Sequence, residues 1–151
     1  MSKWIPVTLM LLAAANAHAL DREQAEKAVE VREAVMTITG WSITPAAAMI
    51  KGKIPYEAKQ FQTYAERLEA AMSMIPDAFR ADTRGFGIKS ESLDKVWEEN
   101  EEFLKLAKDS ADASAALAAA SASGSLEEVQ GPFMDLGKSC KACHDKFRED
   151  D

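Results

Sequence analysis

Apolar positions recur at helical spacing along nearly the whole chain, and nowhere with the alternation of a strand. Ala25, Ala28, Val29, Val35, Met36 and Thr39 fall on one face of a helix predicted over residues 21 to about 50, with Arg32 set in the same stripe. Gly40 and Pro45 interrupt it, and Pro45 is expected to kink the helix or end it early. Gly52 suits the closing turn. A second helix opens at Pro55, where a missing N–H costs nothing, buries Phe61, Tyr64, Leu68, Met72 and Ile75, and is expected to end at Pro76. Residues 77–91 contain Gly85-Phe86-Gly87 and lack periodicity, which makes them the long loop of the chain. A third helix is predicted over residues 92–122, with Leu93, Trp97, Asn100, Leu104 and Ala107 inward and the charges near 98–102 outward; its Ala/Ser-rich second half reads as helix because alanine is the best helix former. Ser125 with Glu128 makes a capping box for the fourth helix, whose inner face runs Val129, Phe133, Leu136, Gly137, Cys140, His144 and Phe147. Gly131-Pro132 is expected to bend its first turns. Four amphipathic helices with mostly short connections predict an all-α, antiparallel up-down-up-down four-helix bundle.

The last helix carries the chemistry. Cys140-Lys141-Ala142-Cys143-His144 is a C-x-x-C-H run, the pentapeptide associated with c-type haem attachment. On a helix the two thiols lie three residues apart and can form thioethers with the two vinyl groups of one porphyrin, while His144, one turn after Cys140, can reach the iron as an axial ligand. A structural zinc site needs about four Cys or His ligands, but the chain has two cysteines and two histidines. A thioredoxin-like pair expects a βαβ setting that the pattern lacks. A redox dithiol or a plain disulfide remains as the alternative to haem.

Composition adds a compartment. Lys3, an apolar run from Trp4 to Ala15 and Ala17-His18-Ala19 form the pattern of a cleaved secretory signal peptide over residues 1–19, leaving residues 20–151 as one haem c domain. The apolar run is shorter than the ~20 residues that span a bilayer, so no membrane span is expected after cleavage. Export points to the periplasm, where an unprotected C-x-x-C tends to oxidise. Loss of Lys3 leaves 17 basic against 25 acidic side chains, a net charge of −8. Such acidity argues against nucleic acid or anionic membrane as a partner. No acid/base pair or nucleophile arrangement supports an enzyme.

The segment Gly137-x-Ser139-Cys140-Lys141-Ala142-Cys143-His144-Asp145-x-Phe147-Arg148 resembles the haem helix of the class II c-type cytochromes, the cytochrome c′ and cytochrome c556 family. Arg32-x-x-x-Met36-x-x-x-Gly40, Lys51-Gly52-x-x-Pro55-Tyr56, and Trp97 with Phe103 resemble further family positions. Cytochrome c′ is itself a standard example of the four-helix bundle. The resemblance implies one covalent haem c per chain, Arg32 near a haem propionate, Met36 facing the distal side and Arg148 beside the proximal imidazole. A basic residue at the C-terminal end of a helix also reads, at Arg148, as a partner of the helix dipole. Trp97 and Phe133 are read as core or haem-edge packing. Mitochondrial-type cytochromes carry the motif near the N-terminus and recruit a later methionine, whereas no methionine follows His144 here. With His144 the single histidine left after cleavage, the sixth iron position is a methionine or open, and of the methionines the resemblance together with the core stripe points to Met36. Ligation by Met36 suits electron carriage between redox partner proteins. An open position under an apolar lid suits small gas ligands, nitric oxide or carbon monoxide. Homodimerisation through the first two helices is common in the family.

Overall fold

A computed structural model describes residues 20–149. The expected leader lies outside the described residues.

Four long helices and one short one account for most of the chain. Helix α1 spans Arg22–Ile50. Its N-cap is reciprocal: Asp21 Oδ1 accepts from the Gln24 amide at 2.8 Å, and Gln24 Oε1 accepts from the Asp21 amide at 3.1 Å, satisfying two donors that a helix start leaves orphaned. The helix continues through Pro45 to Ile50 rather than ending early. Gly52 then takes φ +65°, the left-handed turn expected there. Helix α2 spans Ala58–Ala78 and likewise runs two residues past Pro76. In both cases the proline removes one amide donor near a helix end, where packing of the flanking turns outweighs the loss.

The third predicted helix is interrupted. It is split into a single turn, α3 (Lys95–Glu98), and a long helix, α4 (Asn100–Ser121), with Glu99 between them at φ −114°, ψ 44°. Asn100 supplies a local reason: its side-chain amide donates to the Val96 carbonyl at 3.2 Å and so competes for the acceptor its own backbone N–H would use in a continuous helix. The break changes which face is buried. Phe103, Ala107, Ser110, Ser114, Leu117 and Ser121 point inward, and Leu104, expected inside, is 39% exposed.

Helix α5 spans Leu126–Phe147 without interruption at Gly131-Pro132. Gly124 turns the chain at φ +74°, and the Ser125 hydroxyl accepts from the Glu128 amide at 3.4 Å. Among the described residues the Glu128 side chain does not complete the reciprocal half of the predicted capping box.

The core is continuous from end to end. Phe61, Leu68, Leu117, Val129 and Leu136 are fully buried. A ring series runs Tyr56–Phe61–Phe133 at one end, and Phe79–Phe103–Phe147 at the other, with Phe103 and Phe147 edge to face at 5.4 Å. The inward serines of α4 satisfy themselves: Ser114 and Ser121 donate to carbonyls one turn back, so this small-residue face lets its neighbours approach without orphaned hydroxyls. In packing order α1 lies on α2, α2 on α4, and α4 on α5. The ring does not close tightly: α1 and α5 have almost no direct packing. The space between them is where the site lies.

Candidate haem-binding site

Cys140 and Cys143 sit one helical turn apart on the C-terminal third of α5, half-buried and free of a disulfide. Burial pushes both thiols up, Cys143 to about 11, with the neighbouring Cys140 adding to the effect. The raised values favour the neutral thiols near neutral pH. His144 follows with one flank exposed. Partial desolvation, and then Arg148, pull its imidazole below the ordinary 6.5 against the opposing pull of Asp145 and Glu91. A neutral imidazole is the form that binds iron.

These three side chains border a cavity of about 620 Å³ in the gap between α1 and α5, within the roughly 300–1,000 Å³ of small-molecule and cofactor sites. Met36, Thr37 and Gly40 of α1 form the opposite wall, and Met72, Ile75 and Phe79 the floor. A second depression, beside the first turns of α1, is lined by Asp21, Glu23, Glu26 and Glu30 and holds none of the motif. Among the described residues no three His, Cys, Asp or Glu side chains gather as a metal site. The donor set fits a porphyrin: two protonated thiols and one neutral imidazole on one face of a helix, fronting a largely apolar slot.

Of the residues singled out from sequence, the structure brings together Cys140, Cys143, His144, Met36, Arg32 and Arg148 at this cavity. Trp97 and Phe133 do not line it. Phe133 packs on Phe61 with ring centroids 6.2 Å apart, in the core. Trp97 donates its indole N–H to the Phe79 carbonyl at 3.1 Å and presents its ring to the Arg32 guanidinium at 4.9 Å.

Arg32 is 2% exposed, and its three kinds of N–H group each have a protein partner. Its Nε donates to the Ala78 carbonyl (3.1 Å), Nη1 to the Thr83 hydroxyl (3.0 Å) and Nη2 to the Ala81 carbonyl (2.6 Å). The guanidinium also lies over the rings of Phe79 and Trp97, 5.4 and 4.9 Å from their centroids. Carbonyl dipoles at the C-terminal end of α2 and two π faces thus help to carry the buried charge. Desolvation lowers the guanidinium's pKa, with Asp82 opposing through space. Arg148 pairs with Glu91, Nε to Oε2 at 3.0 Å.

Sequence reasoning placed Met72 in the α2 core stripe but gave no sign that it borders the cavity, since a cavity wall and a core share one periodicity. Gly40 left a trace as an interruption in α1. A Cβ built on it meets nothing within 4 Å, so this glycine keeps the wall open one turn beyond Met36.

A four-helix bundle whose last helix offers paired thiols and an imidazole to an apolar slot defines a c-type haem protein of the bundle class. The comparisons make this specific. The family profile described as Cytochrome C′ matches residues 27–148. Cytochrome c′ of Pararhodospirillum photometricum is 36% identical over 124 residues, covering 82% of this chain and 98% of that protein. The solved structure of cytochrome c prime from Shewanella frigidimarina superposes with a TM-score of 0.79 at 31% identity, covering 85% of this chain and 98% of its own. A variant of cytochrome c prime from Alcaligenes xylosoxidans, solved as a nitric oxide complex, matches at a TM-score of 0.75 and 28% identity, over 84% of this chain and 97% of its own. The chain belongs to the cytochrome c′ family, and its cofactor is haem c.

Proposed function

We propose that this chain is a periplasmic mono-haem electron carrier in which His144 and Met36 provide the two axial iron ligands from facing helices. The observation that supports this reading is the Met36 side chain on α1, bordering the same cavity as His144 on α5. Haem c, when bound, supplies a one-electron iron couple. Cys140 and Cys143 would hold it covalently, His144 would give it a nitrogen ligand, and the largely apolar lining would receive the macrocycle. Methionine–histidine ligation favours a raised potential and little reorganisation between oxidation states. The role is a carrier's, with redox proteins as partners, and not an enzyme's.

Optical and EPR spectra of the oxidised protein test the ligation. A low-spin wild type that becomes high-spin in Met36→Ala is the expected result, and a wild type that is already high-spin overturns it.

One observation favours a second reading, gas binding. Met36, Ile43, Met72, Ile75 and Phe79 give the cavity a large apolar share of its lining, and the hydroxyl of Thr39 beside them is committed to the Val35 carbonyl at 2.9 Å. Such a lining suits nitric oxide or carbon monoxide, which need no donor, entering as the Met36 thioether moves aside. A Soret shift on adding carbon monoxide to the reduced protein supports this role; an unshifted spectrum sinks it.

The leader pattern over residues 1–19 is what supports export. Among the described residues no helix is long and apolar enough to cross a membrane. Intact mass of the exported product should correspond to residues 20–151 plus one haem. We also propose a homodimer through the outer face of α1, where Val31, Ile38 and Trp41 are 42%, 47% and 75% exposed.

A further inference from the structure

The two helices that wall the haem cavity scarcely touch each other, yet one segment is fastened to both. It is the connection between α2 and α3, residues 79–94. At its first end Arg32 of α1 reaches Ala78, Ala81 and Thr83 with three separate N–H groups, and Trp97 holds Phe79. In its middle, Arg22 from the first turn of α1 donates to the Phe86 carbonyl at 2.9 Å. At its far end the Leu93 amide donates to the Phe147 carbonyl at 2.9 Å and the Glu149 amide to the Glu91 carbonyl at 2.8 Å, an antiparallel bridge centred on Ser92 and Arg148. The Glu91–Arg148 ion pair lies over the same bridge. Between these fastenings Ser90, Glu91 and Ser92 line the cavity.

We infer that residues 79–94 act as a tie between α1 and the C-terminal end of α5, setting the spacing of the cleft that receives haem, and that Arg32 is its anchoring, positioning residue. Three observations carry this. The first is burial: Arg32 and Thr83 are 2% and 6% exposed, so the fork of donors is locked in a dry site where each lost hydrogen bond counts fully. The second is direction. Two of the fork's three bonds go to the connection's own Ala81 carbonyl and Thr83 hydroxyl and the third to Ala78, the last residue of α2, so its geometric demand falls on the start of the connection, whatever anion also borders it. The third is location, because the far bridge begins three residues after His144, and the Arg148 amide also donates to the His144 carbonyl at 3.2 Å. Slack at the Arg32 end therefore reaches the turn that carries the iron ligand. The inference rests on haem lying in this cavity, and is independent of whether Met36 binds the metal.

The test perturbs one end of the tie and reads the other. Thr83→Val removes the hydroxyl acceptor while keeping the shape and leaving the Arg32 charge in place. Amide hydrogen exchange on the holoprotein should then speed up roughly tenfold at Leu93 and Glu149, the loss of one hydrogen bond to a charged group. Exchange in the cores of α2 and α4 should hold at the wild-type rate. Thr83→Ser, which retains the hydroxyl, should restore the rates to within about twofold. Arg32→Lys keeps the charge but loses the three-way fork, and should reproduce the Thr83→Val pattern. Unchanged exchange at Leu93 and Glu149 in both variants overturns the inference and leaves Arg32 as a partner of haem alone. A uniform rise through all helices overturns it as well, since that marks general loosening and no tie. The spin state read for Met36→Ala bears on neither result.

Discussion

At the scale of single residues, the thiols, the imidazole and the buried arginine divide the work of the site. Cys140 and Cys143 are half-buried, and burial pushes their thiols up, so both remain as thiols for addition across a vinyl group. In Cys140→Ser with Cys143→Ser, covalent attachment should be lost. Acid-acetone should then extract the haem, whereas haem that stays with the polypeptide would refute the assignment. These residues were legible in the sequence because spacing alone expresses their chemistry. Arg32 was legible as a charge in an apolar stripe and, through the family resemblance, as a neighbour of a haem propionate. Its partners are backbone carbonyls and ring faces from residues 78–97, which no local pattern announces. Outside the site, Asp82 gives a pH signature. Its hydrogen bonds to Arg84 hold the carboxyl below the ordinary 3.8, with the charges of Arg84 and Arg32 helping and desolvation opposing. A depressed folded-state pKa contributes stability that is present above the unfolded value and lost as pH falls through the folded one. Asp82→Asn should therefore lower the thermal midpoint at pH 7, and the gap to wild type should close as the pH drops below 3.8. A gap that persists undiminished in acid would contradict this origin.

At the scale of elements, four long helices were readable from period and caps, and the departures have local causes. Prolines 45, 76 and 132 each lie inside a helix that continues past them. Stop signals derived from propensity are overruled where the following turn buries apolar surface, as Met49, Ala78 and Phe133 do after the three prolines. The prolines still remove donors, and Pro132 is the most informative. It stands at the seventh position of α5, beyond the first turn where a missing N–H is harmless. Pro132→Ala returns a donor to the Glu128 carbonyl and should raise stability by about 1–3 kcal/mol, up to the usual cost of an interior proline. Denaturant unfolding measures it; a midpoint that falls would mean that a bend at this position is needed for haem to seat. The break at Glu99 was unreadable because Asn100 looks like an ordinary helix position until its side chain is seen on the Val96 carbonyl.

At the scale of the whole molecule, the sequence implied a closed bundle, but not that its first and last helices stand apart. That opening depends on contacts among residues distant in sequence, from the tie at 79–94 to the bridge at 147–149, and periodicity carries no information about them. The opposite side of α1 raises a separate question of assembly. Val31, Ile38 and Trp41 lie on its outer face, away from the cavity residues Met36 and Gly40, so a neighbour seated there would leave the haem cleft free. Trp41, three-quarters exposed one turn beyond Ile38, makes with Ile38 and Val31 an apolar stripe that burial would stabilise. A two-fold contact is the economical way for one such stripe to cover itself. Trp41→Glu places a like charge opposite its own copy across such an axis and removes the largest apolar side chain from the patch. Light scattering should report two chains for the wild type and one for the variant, with an unchanged Soret band showing that the haem site is intact. A wild type that elutes and scatters as a single chain at micromolar concentration would remove the dimer while leaving the haem assignment standing, because the two rest on opposite faces of the same helix.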